Sequence, residues 1–498
     1  MAGRGLRFLR RGRLVEIEAF DPHTTILDWL RLEEGATGTK EGCAEGDCGA
    51  CTVILARHHS GQLVYHPVNA CIHLLGQLDG AELITIEDLA QGAMLHPVQE
   101  ALVSHHASQC GFCTPGVVMS LFALYHQEGP VDRAKAQAAL SGNLCRCTGY
   151  RPILDAAVSV CAGERLDRFT ETEPVSLQVL AALDDEEDVF VGDAQRFFAA
   201  PRSEAMLSAL IERFPEARLV AGATDVGLWI TKELRILPQV IWLGRVRSLG
   251  QIVQGVDRLV LGASVPLAEA IPYLSRLDPD FESLMQRFGS EQIRHVGTIG
   301  GNLANASPVG DLAPALIAMG AVLELVKAGE ARALPLQDFF KAYGQQDRQA
   351  GEYVRAVHIP RLSEGMHFRA LKISKRFDDD ISSVTGAFCV TLEHGLIAEA
   401  RLAYGGMAGI AKRASHAEAF LKGQPIGSAA TWKQAADRLT EDFSPLSDHR
   451  ASAHYRMQAA RGILIKALAE IAGLPAASTR IHPRMATDLE PQGGGPDV

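Results

Sequence analysis

The cysteines of this 498-residue chain are concentrated near one end, where eight of the ten lie between residues 43 and 147. They form two groups of four: Cys43, Cys48, Cys51 and Cys71, then Cys110, Cys113, Cys145 and Cys147. Residues 12–20, which follow Arg10 and Arg11, carry charges where an export signal needs an apolar stretch, so we expect a cytoplasmic protein. Because a reducing cytosol disfavours disulfides, both groups are expected to bind metal. The two cysteines left over, Cys161 and Cys389, are expected to be small buried hydrophobes.

The first group has the spacing of a plant-type ferredoxin. In that pattern, C-x4-C-x2-C and a distant fourth cysteine supply four thiolates to a [2Fe-2S] cluster. Glycines at positions 42, 46 and 49 let the backbone curl around the cluster. Strand-like segments flank the loop, and a helix is predicted at about residues 25–32. We therefore predict a β-grasp domain; the alternative, a zinc knuckle, is disfavoured because zinc sites prefer paired C-x2-C units.

The second group is spaced C-x2-C, then 31 residues, then C-x-C. Each pair precedes a helical sequence with a proline near its start, Pro115 or Pro152. The positive ends of two helix dipoles would therefore converge on one anionic cluster. Two more helices, at about residues 97–102 and 131–140, complete a predicted four-helix bundle. A zinc site is again the alternative to an iron–sulfur cluster.

A third unit begins at about residue 191 without the common nucleotide-binding motifs G-x-x-x-x-G-K-[ST] or a strand-borne G-x-G-x-x-G. Its strand ARLVAG instead turns into a helix at residues 222–225, where free amides could hold a pyrophosphate or simply form a tight turn. A second segment groups small and hydrogen-bonding residues at positions 300–307, where a ligand could approach the backbone closely. Two such loops in one domain favour a bound cofactor.

The motifs GCAEGDCGACTV, CGFCTPG and NLCRCTGYRPI together resemble the iron–sulfur part of the molybdenum hydroxylases, the xanthine dehydrogenase group. In that family the helical-domain cluster lies nearer the molybdenum, and the β-grasp cluster lies nearer a flavin. The resemblance implies that Gln109 and Cys147 face the pterin of the molybdenum cofactor.

The segments LVAGATDVGL and TIGGNLANASPVGDL resemble the two FAD-binding loops of the vanillyl-alcohol-oxidase type of flavin domain. The resemblance implies that residues 219–226 hold the pyrophosphate and ribityl, and that Phe288 packs on the isoalloxazine, although its local pattern alone favours plain core packing. Asn305 stands where a threonine is usual in the animal enzymes. The implied FAD-binding residues are Leu219, Val220, Ala221, Gly222, Ala223, Thr224, Asp225, Val226, Phe288, Thr298, Gly301, Asn302, Asn305, Ser307, Asp311, Val354 and Lys372.

The segment ALKISKRFDDDISSV, residues 370–384, carries basic residues followed by three aspartates. On its own it is typical of a surface ion-pair cluster. It also resembles a mobile loop that, in this family, influences whether NAD or oxygen accepts electrons. Phe377 stands where a second arginine is usual, so the local electrostatics differ.

The expected fold is a multidomain α+β chain. Its predicted parts are a β-grasp [2Fe-2S] domain (1–84), a helical [2Fe-2S] domain (85–163), an acidic linker (164–190), a two-part α+β FAD-binding domain of the vanillyl-alcohol-oxidase type (191–380), a C-terminal α+β domain (381–485) and a disordered tail (486–498). The contiguous carboxylates at positions 184–188 are interpreted as a solvated charge run without function.

The resemblance covers about residues 6–480 and implies an electron-transfer subunit that has no catalytic residue for purine hydroxylation. Electrons from hypoxanthine or xanthine, oxidised to urate at a molybdenum cofactor on a large partner subunit, would pass through two [2Fe-2S] clusters and FAD to NAD. The implied assembly contains two small and two large subunits. The alternatives are the small subunit of another molybdenum hydroxylase, acting on an aldehyde or an N-heterocycle, and a stand-alone iron–sulfur flavoprotein carrier.

Charge and hydropathy argue against two other partners. With 48 Lys and Arg against 59 Asp and Glu the net charge is −11, which disfavours a nucleic acid. The longest stretch without Asp, Glu, Lys or Arg, residues 101–127, contains His, Ser, Gln, Cys and Pro, so no membrane-spanning helix is expected.

Overall fold

The computed structural model describes residues 3–59 and 61–480. The first domain is a mixed five-stranded sheet in the order β2-β1-β5-β3-β4, with β1 and β5 parallel. Its elements are β1 (Leu6–Arg10), β2 (Arg13–Ile17), a short helix α1 (Ile26–Asp28) continued by a π-helical turn (Trp29–Glu33), β3 (Thr52–His59), β4 (Gln62–Asn69) and β5 (Glu82–Ile84). Apolar residues of the sheet and helix, among them Leu6, Phe8 and Val53, form one core. This arrangement matches the predicted β-grasp domain.

Four helices follow, as the sequence predicts. They are α2 (Pro97–Ser104), α3 (Thr114–Tyr125), α4 (Arg133–Leu140) and α5 (Arg151–Val160). Ten of the twelve residues of α3 are buried, because this almost wholly apolar helix lies at the centre of the bundle. Asp132 caps α4 by accepting a hydrogen bond from the amide of Lys135 at 2.8 Å.

Residues 164–190 differ from the predicted linker, because they contain a sixteen-residue helix, α6 (Arg168–Leu183). Asp167 caps it, and Leu180 and Leu183 enter the core shared by the β-grasp and helical domains. The acidic run after α6 is also not simply solvated: Asp185 accepts hydrogen bonds from Arg4 at 2.9 Å and Arg245 at 2.8 Å. The segment therefore connects three domains through packing and charge.

The predicted flavin unit, which we call the flavin unit below, begins with a four-stranded sheet in the order β6-β7-β9-β8. Its elements are β6 (Val189–Gly192), β7 (Phe197–Ala200), α7 (Glu204–Arg213), β8 (Arg218–Val220), α8 (Val226–Thr231) and β9 (Gln239–Trp242). Strands β7 and β8 both run parallel to β9. The carboxyl end of β8 therefore leads directly into the loop predicted to bind pyrophosphate.

A second lobe has an antiparallel sheet in the order β10-β11-β16-β12-β13, covered on one face by helices. Its strands are β10 (Ile252–Gln254), β11 (Arg258–Gly262), β12 (Val322–Lys327), β13 (Glu330–Pro335), the small hairpin β14 (Phe340–Ala342) and β15 (Gln345–Gln346), and β16 (Tyr353–Pro360). Its helices are α9 (Leu267–Ser275), α10 (Pro279–Gln286), α11 (Glu291–Arg294), α12 (Ile299–Ala304), α13 (Leu312–Met319) and α14 (Leu336–Phe339). All eight residues of α13 are buried, and the helix ends at Gly320, whose φ of 77° suits a C-terminal cap.

The last unit is a four-stranded antiparallel sheet packed against three helices. Its elements are β17 (Met366–Ile373), β18 (Val384–Glu393), β19 (Leu396–Gly405), β20 (Lys412–Arg413), α15 (Ser415–Leu421), α16 (Ala429–Asp442) and α17 (Ala453–Ile471). Because β17 pairs with β18 along its whole length, this sheet starts before the predicted domain boundary at residue 381. The predicted tail at 486–498 lies outside the described residues. No helix within the described ranges is long and apolar enough to cross a membrane.

Candidate functional site

The loop of the first cysteine group directs backbone amides at its own sulfur atoms. Cys43 Sγ accepts from the amides of Cys48 at 3.3 Å and of Glu45 and Asp47 at 3.4 Å each. Positive φ angles at Ala44 and Gly46 turn the backbone so that these N–H groups face inward. Gly46 has a φ of 78°, which other residues adopt only with strain, and a Cβ there would lie 2.5 Å from the terminal methyl of Ile72.

The four thiols of this group lie side by side. Cys43 contacts Cys48 and Cys71, and Cys71 also contacts Cys51. Hydrogen bonds from the Cys48 and Cys71 thiols, together with the backbone amides, hold the pKa of Cys43 far below its usual range. The three backbone amides that donate to Cys43 Sγ stabilise negative charge on that sulfur, as a thiolate ligand requires.

The second group is assembled from the two loops that precede α3 and α5. Cys110 contacts Cys147, and Cys113 contacts Cys145. Cys113 is the residue that precedes the first turn of α3. Cys145 is further held by its amide, which donates to Tyr150 Oη at 3.0 Å, and by a 3.2 Å hydrogen bond between its Sγ and Thr148 Oγ1. Burial raises the pKa of Cys113 to about 12, so this thiol stays protonated unless a metal replaces the proton.

Both groups fit a two-iron cluster. In the second group the thiol contacts form two separate pairs, whereas in the first group Cys43 and Cys71 also contact each other; each group supplies the four thiols that a two-iron cluster shares between its irons. The remaining cysteines, Cys161 and Cys389, are buried as predicted.

The two groups differ in exposure. Cys110 and Cys147 are exposed, and the predicted pterin-facing residue Gln109 is exposed beside them. Cys51 and Cys71 of the first group are buried in the β-grasp core, against which Leu228 and Ile293 of the flavin unit pack. In that contact Thr231 Oγ1, at the end of α8, donates to the carbonyl of Ala44 at 2.7 Å. The first group thus lies next to the predicted flavin loops, and the second group opens to the surface.

The first predicted flavin loop leaves its amides free. The N–H groups of residues 222–225 donate to no acceptor among the described residues, and Ala223 has a φ of 65°. Successive free amides around a positive φ form an anion-binding concavity. A Cβ at Gly222 would lie 1.9 Å from the carbonyl of Val296, so this glycine lets the loop close against the turn that precedes the second loop.

The second predicted loop meets the first. Thr298 caps α12 by accepting from the amide of Gly301 at 3.0 Å, which orders the TIGGN turn. Asn305, at the end of α12, donates to the side chain of Asp225 in the first loop. The pKa of Asp225 is raised because protein atoms crowd its carboxylate, although the side chain is still open to solvent. Residues 219–226 and 298–305 therefore face one another across a shared space.

The other predicted FAD residues lie in the second lobe and on β17. Asp311 and Lys372 form a buried ion pair with a distance of 2.7 Å. Ser307 Oγ accepts from the amide of Val309 at 3.4 Å and so orders the loop before α13. Phe288, two residues after the end of α10, packs against the core of the second lobe, and Val354 on β16 is part of that core. No hydrogen bond or ring contact joins these two side chains to the flavin loops in the described part of the chain.

The segment that resembles the mobile loop is anchored by a residue that sequence reasoning missed. Arg287 donates to the carbonyls of Lys372 at 3.1 Å and Phe377 at 3.0 Å, and its guanidinium lies 4.5 Å from the centre of the Phe377 ring. Arg376 pairs with Asp380 at 3.4 Å, as the surface ion-pair interpretation predicts. No spacing or motif marks Arg287, because its partners lie 85 and 90 residues away.

A cavity of about 470 Å³ lies elsewhere, on the open face of the second-lobe sheet. Its lining includes Arg258, Glu324, Arg332 and His358. Glu324 and His358 pair with each other at 2.9 Å. None of the predicted site residues lines it, so it is separate from the site described above.

Comparison with known protein families matches most of the chain in four consecutive parts. Residues 9–74 match a 2Fe-2S iron-sulfur cluster binding domain, and residues 85–158 match a [2Fe-2S] binding domain. Residues 193–362 match the FAD binding domain in molybdopterin dehydrogenase, and residues 369–471 match the CO dehydrogenase flavoprotein C-terminal domain.

Several full-length enzymes are similar to the chain. Xanthine dehydrogenase/oxidase of Rattus norvegicus is 33% identical over 455 residues, which are 81% of this chain and 34% of that protein. Xanthine dehydrogenase of Emericella nidulans is 33% identical over 497 residues, which are 88% of this chain and 36% of that protein. The chain therefore spans about a third of the length of the relatives it matches.

Solved structures resemble part of the chain. Quinoline 2-oxidoreductase from Pseudomonas putida 86 matches with a TM-score of 0.52 and 26% identity, covering 56% of this chain and 97% of that one. A Cu,Mo-CO dehydrogenase matches with a TM-score of 0.52 and 25% identity, covering 55% of this chain and 96% of that one.

Proposed function

Since the chain belongs to the molybdenum hydroxylase family and corresponds to its iron–sulfur and FAD-binding part, we propose that it is the electron-transfer subunit of a cytoplasmic, NAD-dependent xanthine dehydrogenase. Its partner would be a large chain with the molybdenum cofactor, where hypoxanthine and xanthine are oxidised to urate. The assembly would contain two chains of each kind. The chain itself would supply no group to purine hydroxylation.

The order of the sites along the molecule is the observation that carries this proposal. Cys110 and Cys147 of the second group are exposed, the loop of the second group contacts the loop of the first, and the first group contacts the flavin unit. The contact between the groups is direct, because the amide of Leu144 donates to the carbonyl of Cys48 at 3.0 Å. A relay that accepts electrons at the surface and delivers them to a nucleotide cofactor needs this sequence of sites.

The residues proposed to hold the cofactors follow from the geometry above. Two [2Fe-2S] clusters would bind the two cysteine groups, and FAD would bind between residues 219–226 and 298–311 with Lys372. When bound, these groups supply one-electron transfer at iron and the exchange between one- and two-electron transfer at the flavin. The protein's part is to stabilise thiolate charge, to present free amides to a pyrophosphate, and to keep the first group and the flavin loops in contact.

The proposed docking surface for the large chain surrounds the second cysteine group. Phe112, Leu144 and Tyr150 are 50%, 45% and 38% exposed there. Each is within three residues of a ligand cysteine. Apolar side chains gathered around a metal site on the surface are typical of an interaction site.

A second candidate function has specific support in the likeness to quinoline 2-oxidoreductase. In that case the large chain would act on an N-heterocycle or an aldehyde, and this chain would transfer electrons in the same way.

The test is to produce the chain with its molybdenum-containing partner from the same organism and to measure cofactors and activity. We expect about four iron, four acid-labile sulfide and one FAD per chain, and NADH formation with xanthine. Turnover of quinoline or an aldehyde in place of xanthine would establish the second candidate. Zinc in place of iron, or no associated molybdenum chain, would contradict both.

A further inference from the structure

One glutamine of the flavin unit reaches into the contact between the two cysteine-bearing domains. Gln292, on α11, has no exposed surface. Its Nε2 lies 3.3 Å from Thr52 Oγ1, 3.1 Å from Ser120 Oγ and 3.2 Å from Asn143 Oδ1. A single carboxamide therefore binds side chains of the β-grasp and helical domains at once.

The acceptors of Gln292 lie beside the predicted cluster ligands. Thr52 follows Cys51, and Asn143 stands two residues before Cys145. Asn143 Nδ2 also donates to the carbonyl of Gly49 at 3.1 Å, which lies between two ligands of the first group. The next residue, Leu144, makes the 3.0 Å backbone hydrogen bond to Cys48. The network therefore holds the backbone link between the two groups.

Three glycines make this contact unusually close. A Cβ at Gly116, in the first turn of α3, would lie 2.0 Å from the carbonyl of Gly49. A Cβ at Gly142 would lie 2.3 Å from Gln292 Oε1. Because no side chain separates the two loops, small displacements of either domain change the distance between the cysteine groups directly.

The network contains only uncharged groups: two hydroxyls, two carboxamides and a backbone carbonyl. It can therefore fix positions without placing a charge next to either cysteine group. The contacts of Gln292 all run through its Nε2, since Gln292 Oε1 is buried without a hydrogen-bond partner among the described residues. Buried polar contacts of this kind favour one arrangement of the parts they join.

We infer that Gln292 is a positioning residue. It belongs to the flavin unit, and it sets the distance between the two iron–sulfur clusters. The inference rests on the proposed function, since it needs both cysteine groups to hold clusters. The flavin unit would then have two roles: it receives electrons from the clusters, and it fixes the distance between them.

The test compares Gln292→Leu with a matched control, Gln77→Leu, in the full chain with its cofactors. Gln77 is also a buried glutamine that joins the β-grasp domain to the flavin unit, through a 2.9 Å hydrogen bond to the carbonyl of Ala221, but it lies away from the inter-cluster contact. The measurements are the magnetic splitting between the two reduced clusters by electron paramagnetic resonance, the reduction potential of each cluster, and the rate of electron transfer between them.

We expect Gln292→Leu to keep its iron content and both potentials, to lose the splitting, and to slow inter-cluster transfer, since the rate of electron tunnelling falls steeply as the distance between two centres grows. Gln77→Leu is expected to keep the splitting. If Gln292→Leu does not fold, Ser120→Ala removes one acceptor only and is expected to weaken the splitting in part.

Three other results would overturn the inference, and a fourth would overturn the proposed function. A lower melting temperature of Gln292→Leu with unchanged splitting and rate would show a merely structural role and overturn the inference. Loss of splitting in Gln77→Leu, or unchanged splitting in Ser120→Ala, would overturn it as well. An unsubstituted chain without two distinct cluster signals would instead overturn the proposed function.

Discussion

Lys372 Nζ donates to Asp311 Oδ2 at 2.7 Å, and each side chain is 3% exposed. Asp311 directly precedes α13 of the second lobe, and Lys372 lies on β17 of the C-terminal sheet. The hydroxyls of Ser382 and Thr385 donate to the same carboxylate. This buried pair therefore joins the two halves of the flavin unit at a point where the family resemblance implies FAD contacts.

The first prediction concerns this ion pair. Lys372→Met should lower the free energy of unfolding of the flavin unit by about 3 kcal/mol, because it leaves a buried carboxylate without its cation. It should also weaken FAD retention, measured as the flavin-to-protein absorbance ratio after gel filtration. Lys433→Met removes an exposed lysine of α16 and serves as the control. Equal stability and flavin content in the two variants would contradict the prediction.

The second prediction separates the two cysteine groups. Cys147→Ser should remove one paramagnetic signal and its iron while the other signal remains, since the groups lie on separate loops of separate domains. Reduction of FAD by NADH should persist, because the first group alone adjoins the flavin loops. Cys161→Ser is the control, as that thiol is buried away from both groups. Loss of both signals in Cys147→Ser would argue against independent sites.

The third prediction tests the acidic run after α6. Asp185 is bound by Arg4 and Arg245, whose side chains are each 5% exposed, whereas Glu186 is 76% exposed and contacts Arg247. Asp185→Asn should therefore cost about 3 kcal/mol of stability, and Glu186→Gln less than about 1 kcal/mol, by chemical denaturation.

The pH dependence gives an independent check on Asp185. Burial opposes ionisation there, but the hydrogen bonds from Arg245 and Arg4 hold the pKa below its usual value. The stabilisation is thus present above the unfolded pKa of about 3.9 and is lost as pH falls through the folded pKa. The difference between Asp185→Asn and the unsubstituted chain should shrink in acid; a constant difference would contradict this account.

These cases show which features the sequence could predict. The cysteine spacings predicted two domains because ligands of one cluster come from short loops, where spacing and geometry are directly linked. The role of Asp185 could not be predicted, since its partners lie 181 and 60 residues away and a run of carboxylates is usually solvated. The role of Gln292 could not be predicted for a similar reason. Its partners are 149 to 240 residues away, and the local sequence SEQIRH contains no motif that indicates an interdomain contact. Interdomain contacts of this kind depend on packing that no local pattern encodes.

The fourth prediction concerns a histidine pair between domains. His66 Nδ1 and His295 Nδ1 are 2.9 Å apart, one on β4 and the other after α11. Burial lowers the pKa of His295 to about 4 and that of His66 well below its usual value, and nearby Arg57, His59 and Arg294 act in the same direction. Both rings are therefore neutral in the folded chain at neutral pH.

Because the unfolded chain protonates its histidines below a pKa of about 6.5, stability should fall as pH drops from 6.5 towards 4, by about 1.4 kcal/mol per pH unit for each histidine. His295→Gln should make this decline shallower, measured by denaturation at pH 7, 6 and 5. An equally steep decline in the variant would assign the acid sensitivity to other groups.

The fifth prediction tests the division of labour between this chain and its proposed partner. Flavin loops and both cysteine groups are on this chain, whereas the purine would be oxidised at a molybdenum site on the large chain. Produced alone with its cofactors, the chain should reduce artificial dyes with NADH but should not oxidise xanthine or hypoxanthine with NAD. Adding the large chain should restore the complete reaction. In that complex, Lys372→Met should lower the NAD-linked rate more than a dye-linked rate that draws electrons from the clusters, because Lys372 is proposed to contact the flavin. Purine oxidation by the isolated chain, or equal loss of both rates, would contradict this division.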